Sequence, residues 1–186
     1  MGSDLIDGNY RYRRAFCRIW NHPGSSCETD SNWVLFYMIP KKLKDYFENY
    51  NGDIVRQNKQ GGLHALNQLG VDPNSEFGEF YMEYQGSFIG PRPVAELLDI
   101  EGPAIPAIPD QTEYSQDRYQ LPEKFLALTS DESEGMYLYN KDDQAVYDFD
   151  LGEYKDFING KIPARWESFN SFLAWYFDST DPAASE

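Results

Sequence analysis

The stretch from Leu121 to Asp178 constrains the fold most, because two strand-like runs joined by five polar residues lead into an aromatic helical stripe. Phe125-Leu126-Ala127-Leu128 has the length of a buried strand, and Asp131-Glu132-Ser133-Glu134-Gly135 ends it with charged, turn-forming residues. Met136-Tyr137-Leu138-Tyr139 follows at once. Asn140-Lys141-Asp142-Asp143-Gln144 joins this run to Ala145-Val146-Tyr147-Asp148-Phe149-Asp150, and the spacing predicts an antiparallel hairpin. A strand period of two puts Tyr147 and Phe149 on one face and Asp148 and Asp150 on the other, the pattern of a sheet with one buried and one wet face. Ser168 is placed to cap a helix. Behind it Phe169, Phe172, Leu173 and Tyr176 recur at i, i+3, i+4 and i+7 as one apolar stripe. Trp175 and Phe177 lie off that stripe, so the helix either packs on two sides or shows rings to a partner.

Upstream, the chain alternates between ring-rich segments and breakers. Tyr10 to Trp20 interleaves arginine with aromatics, as a strand with a charged face or a segment that pairs with the protein's own acidic side, and Asn21 to Asn32 reads as a loop. Trp33 to Ile39 reads as a buried strand or the lead into a helix. From Pro40 a helix is expected through Leu43, Tyr46, Phe47 and Tyr50, stopped by Asn51-Gly52. The polar run Gly52 to Gly62 is the candidate boundary. Leu63, Leu66 and Leu69 mark a short helix closed by Gly70. After Asp72-Pro73-Asn74-Ser75, the residues Phe77, Phe80, Tyr81 and Tyr84 form a second apolar stripe that ends at Gly86. Ser87 to Gly90 reads as a short strand and Pro93 to Asp99 as a helical or turn segment. Pro103, Pro106 and Pro109 make Ile100 to Gln120 an irregular connection along the sheet edge, with Ile105 and Ile108 tucked inward. The expected organisation is therefore an N-terminal strand and helix extension over 1–60 packed on the core, an α+β domain over 61–178, and a disordered tail over 179–186.

Charge decides which partners suit such a chain. Its 186 residues, enough for one domain with a proper core, carry 31 acidic against 16 basic side chains, a net of −15. From residue 63 onward the balance is 24 acidic against 7 basic. That surface repels nucleic acid and anionic membrane, and it either serves solubility alone or attracts a basic protein. Four arginines between Arg11 and Arg18 are too weak a footprint to reverse this, and no zinc-finger or RNA-recognition sequence accompanies them. The longest apolar run, Trp33 to Pro40, falls well short of the ~20 residues that cross a bilayer. With no secretory pattern at the start, a cytoplasmic location is expected. Cys17 and Cys27 are expected as free thiols.

No catalytic constellation accompanies the acids. His22 and His64 lie in different segments without the neighbours of a ligand pair, and there is no nucleophile elbow, phosphate loop or dinucleotide fingerprint. Asp142, Asp143, Asp148, Asp150, Glu153 and Asp156 do not follow the spacing of a calcium loop. The expectation is a non-enzyme with no cofactor and no metal. Glu76, Glu79 and Glu83 share one helix face as a carboxylate stripe.

The order of these elements resembles the SUKH superfamily, in particular its yeast cell-wall-regulator-like branch, which is largely bacterial immunity proteins. Leu69-Gly70, Phe80-Tyr81 and Gly86 carry the likeness early, and Glu134-Gly135 with Val146 to Asp150 carry it in the hairpin. Trp166-Glu167-Ser168-Phe169 with Phe172-Leu173 carry it at the end, so that it spans about residues 61 to 178. The resemblance implies an α+β fold, a mainly antiparallel twisted sheet flanked by helices, and no catalysis of its own. It also implies cytoplasmic neutralisation of a cognate protein toxin, a nuclease or another secreted effector, by blocking its active site or substrate path. The alternative within the superfamily is a regulatory scaffold that binds host proteins. Expected contacts to a basic toxin are Glu76, Glu79, Glu83, Asp142, Asp143, Asp148 and Asp150, with Tyr137 and Tyr139 as aromatic anchors.

Overall fold

The computed structural model describes residues 39–49, 54–103, 105–132 and 134–178. Tyr10 to Trp20, most of the Trp33 to Ile39 run, the Asn51-Gly52 stop, both cysteines, His22 and the 179–186 tail lie outside the described residues. Three helices come first: α1 (Lys41–Glu48), α2 (Lys59–Leu69) and α3 (Glu76–Glu83). Their ends follow local chemistry. The Asn58 side chain accepts from Gly61 N at 2.9 Å to open α2, and Gly70 closes it at φ 70°, in the left-handed region that glycine enters without steric cost. Ser75 Oγ accepts from Gly78 N at 3.0 Å to open α3.

Residues 108–119 depart from the expectation of an irregular connection. Ile108–Tyr119 is a helix of 12 residues, α4. Pro109 occupies its first turn, where a missing N–H leaves no bond unmade, and the Asp110 carboxylate accepts from Ala107 N at 2.9 Å. Proline therefore starts this helix rather than forbidding one. Ile108 is buried as expected, whereas Ile105 is 87% exposed and does not tuck inward.

The sheet has three antiparallel strands in the order β1 (Phe125–Ala127), β2 (Gly135–Asn140), β3 (Val146–Asp150). Register pairs Leu126 with Tyr139, Tyr137 with Asp148 and Gly135 with Asp150. Both edges are partly closed. Thr112 of α4 accepts the outward Ala127 N–H at 3.0 Å, and on the far side Val146 exchanges bonds of 2.9 and 3.0 Å with Trp166. A 3-10 turn (Leu151–Glu153) leads into α5 (Tyr154–Ile158), and α6 (Phe169–Tyr176) ends the fold, capped by Ser168 as expected.

Strand alternation holds, but the wet face does not exist as expected. Leu126, Leu128, Tyr139 and Val146 belong to one buried cluster with α1, α2, α3 and α6, and Tyr137 packs against it. Phe125, Ala127, Met136, Leu138 and Phe149 point the other way into a second cluster closed by Phe157 of α5. The sheet is thus covered on both sides, which a period of two cannot reveal by itself. The larger cluster runs across the candidate boundary at 52–62. Ile39, Leu43, Phe47 and Ile54 share one core with Phe80, Phe88 and Phe177, and α2 begins inside that polar run. Phe47 lies 4.5 Å from Tyr84 and 5.0 Å from Phe177, ring to ring, so α6 packs on two sides and Phe177 is buried.

Candidate functional site

The acids and tyrosines singled out in the sequence do not form one surface. Glu76 accepts from Asn170 N at 2.8 Å, serving the first turn of α6, where an anion complements the exposed backbone N–H groups. Glu83 lies 3.3 Å from Lys59. Between them Glu79 has its carboxyl pushed up, by partial burial first and by the neighbouring Glu76 second. The α3 stripe is therefore bound to its own fold at both ends. At the hairpin tip Asp143 accepts from Asn140 Nδ2, Ala145 N and the Tyr147 hydroxyl at 2.8–3.0 Å, which makes it the latch of the turn. Asp142 is exposed beside it.

Neither tyrosine is fully exposed. Tyr139 is 1% exposed, with its ring 4.7 Å from Phe77, and burial pushes its hydroxyl up to about 12. Tyr137 is half-buried among Trp166, Phe172 and Trp175, at ring distances of 5.4–5.5 Å. These aromatic side chains sit on the strand face that α6 covers, so hydrophobic burial places them inside.

Three of the nine residues do converge. Tyr137, Asp148 and Asp150 line a pocket of about 160 Å³ at the open end of the β2–β3 pair, with Glu134, Thr129, Pro93 and Val94 around them. Its floor has a local origin. On this face Gly135 stands opposite Asp150 and presents no side chain. A Cβ at Gly135 would fall 2.4 Å from the Phe149 carbonyl oxygen, so the position admits only glycine and the floor stays bare. The opposite wall, residues 93–95, is tied to α6. The single Tyr176 hydroxyl proton is shared between the carbonyls of Phe88 and Ala95, each 2.9 Å away, and Arg92 Nε donates to the Trp175 carbonyl at 2.6 Å.

The frame around this pocket is aromatic and charged. Arg92 lies 4.8 Å and Arg165 5.1 Å from the Trp175 ring, and Arg165 also lies 4.7 Å from Trp166. Arg165 pairs with Asp148, whose side chain is 39% exposed. Asp150 Oδ1 accepts from Gly152 N at 2.6 Å and caps the 3-10 turn. Among the described residues neither Asp150 nor Glu134 has a Lys or Arg partner. The Tyr137 hydroxyl is pushed up by burial and then by Asp148, so it remains a neutral donor.

Sequence reading missed Glu134, Arg92, Arg165 and the 93–95 wall as parts of a site. The Glu134-Gly135 pair was visible as a turn, but no local signal shows that residues about 40 positions upstream come to face it. His64 is exposed on α2, and among the described residues no group of three or more His, Cys, Asp or Glu side chains is placed to hold a metal ion. Nor is any described helix long and apolar enough to cross a membrane. No protein-family model matches the chain, and no curated protein matches it.

Proposed function

We propose that this protein binds a cognate bacterial protein toxin with a basic surface and neutralises it by occluding its active site or substrate path. The observation that carries this reading is the charge imbalance beyond residue 62, a net of −17 over the part of the chain that holds the sheet and α3 to α6. Such a field accelerates encounter with a basic protein and disfavours nucleic acid. A toxin that attacks nucleic acid needs cationic groups where its substrate binds, and these would be the complementary surface. The resemblance of the element order to immunity proteins points the same way.

Co-expression tests it. A toxin domain encoded beside this protein's reading frame arrests growth when expressed alone. Growth returns, and the two chains co-purify, when this protein is supplied with it. If no such toxin is encoded nearby and the protein captures host proteins instead, the regulatory scaffold is the correct reading.

A further inference from the structure

At the open end of the β2–β3 face Glu134 and Asp150 are exposed beside the pocket, whose shape narrows what can dock there. A pocket of about 160 Å³ is well below the 300–1,000 Å³ typical of small-molecule sites. A cavity of about 150 Å³ holds one benzene, so this pocket has the space of a single side chain. Pro93, Val94 and the Tyr137 ring supply an apolar wall, and Gly135 leaves the floor open. Glu134 and the second oxygen of Asp150 supply the polar end, because Asp148 already holds Arg165 and Asp150 Oδ1 already holds Gly152 N. This is the arrangement an amphipathic cation fits, with its methylene stem on the wall and its charged head at the carboxylates.

We infer that this pocket is the anchor point of the interface and takes a single arginine or lysine side chain from the basic protein partner. The inference rests on the toxin-binding reading for its biology, and its test does not. The probe is N-acetyl-arginine amide, titrated into the full isotopically labelled chain and followed by amide chemical shifts; the neutral isostere N-acetyl-citrulline amide is the control. The arginine probe shifts the amides of Gly135, Tyr137 and Asp150 together, with millimolar affinity, and citrulline binds about tenfold more weakly or not at all. Asp150→Asn with Glu134→Gln, which keep shape and the Gly152 cap while removing charge, weakens the arginine probe about tenfold and leaves other amides in place. Equal binding of citrulline overturns the inference, as do shifts spread over α3 and the hairpin tip. If the pocket binds arginine while the wild-type chain rescues no toxin, the toxin reading falls and the pocket stands. If the wild type rescues and the doubly neutralised chain rescues equally, the pocket is not the anchor and the toxin reading stands.

Discussion

Arg56 Nη2 lies 2.5 Å from Asp99 Oδ1, with the guanidinium wholly enclosed by protein. Arg56 also pairs with Glu101 and donates from Nε to the Tyr81 carbonyl. Asp99 takes the N–H groups of Gly86 and Ile100 at 2.7 Å each. One buried cation thus fastens the 54–57 segment, the last turn of α3 and the loop that leads toward α4. Removing it leaves Asp99 buried without its counter-charge, the situation in which a buried ion pair matters most.

Arg56→Met is accordingly expected to lower unfolding free energy by about 3–5 kcal/mol, read from urea denaturation. Adding Asp99→Asn to that variant costs less than the two single changes summed, because the second change removes the charge that the first left unpaired. Additive losses would mean the two side chains act independently.

Alkaline pH is expected to destabilise the fold through its buried tyrosines. Burial pushes the hydroxyls of Tyr139 and Tyr176 up to about 12, against 10 for an ordinary tyrosine, and moves Tyr81 upward as well. Above pH 10 the unfolded chain loses these protons while the folded chain keeps them, so their contribution is complete below pH 10 and is lost between 10 and 12. The slope is at most about 1.4 kcal/mol per pH unit for each group. Urea midpoints measured from pH 9 to 12 check the fall, and phenolate absorbance should show the buried class ionising last.

Tyr176→Phe removes the hydroxyl donor shared by the carbonyls of Phe88 and Ala95 and should cost about 1–3 kcal/mol. It also removes one of the groups behind the alkaline loss, so the pH slope becomes shallower. Because the 88–97 segment carries the pocket wall, amide exchange at Leu97 is expected to quicken before global unfolding does. Unchanged exchange there would show that the Phe88–Leu97 backbone bonds and Arg92 hold the wall without the hydroxyl.

Reversing Asp148 and Asp150 to Lys is expected to weaken association with the basic partner and to flatten its dependence on salt, while circular dichroism stays unchanged. Both side chains lie at the margin of the sheet, and neither belongs to the buried clusters. Unaltered affinity would remove this end of the sheet from the interface. Reversal at Asp143 should instead unfasten the hairpin turn, since that carboxylate holds three donors.

What the sequence by itself determined is local and short in range. Ser75 and Ser168 announce helix starts, Gly70 announces a stop, and the alternation from Met136 to Asp150 fixes which side chains share a strand face, because caps and strand periods depend on neighbours within a few residues. Only the tertiary structure decided which faces are covered. Tyr137 and Tyr139 share a face with Asp148, and that face is buried under α6 except at its last residues, a fact set by a helix about 30 positions further on. Helix α4 was hidden because its few apolar contacts are made to the strand edge and its proline sits where helices begin. The pocket arises from Gly135, which any Cβ would bring against the Phe149 carbonyl, and from the 93–95 segment that Tyr176 draws across to face it. Packing between distant segments created that space, and alternation in one strand could indicate only which side chains would line it.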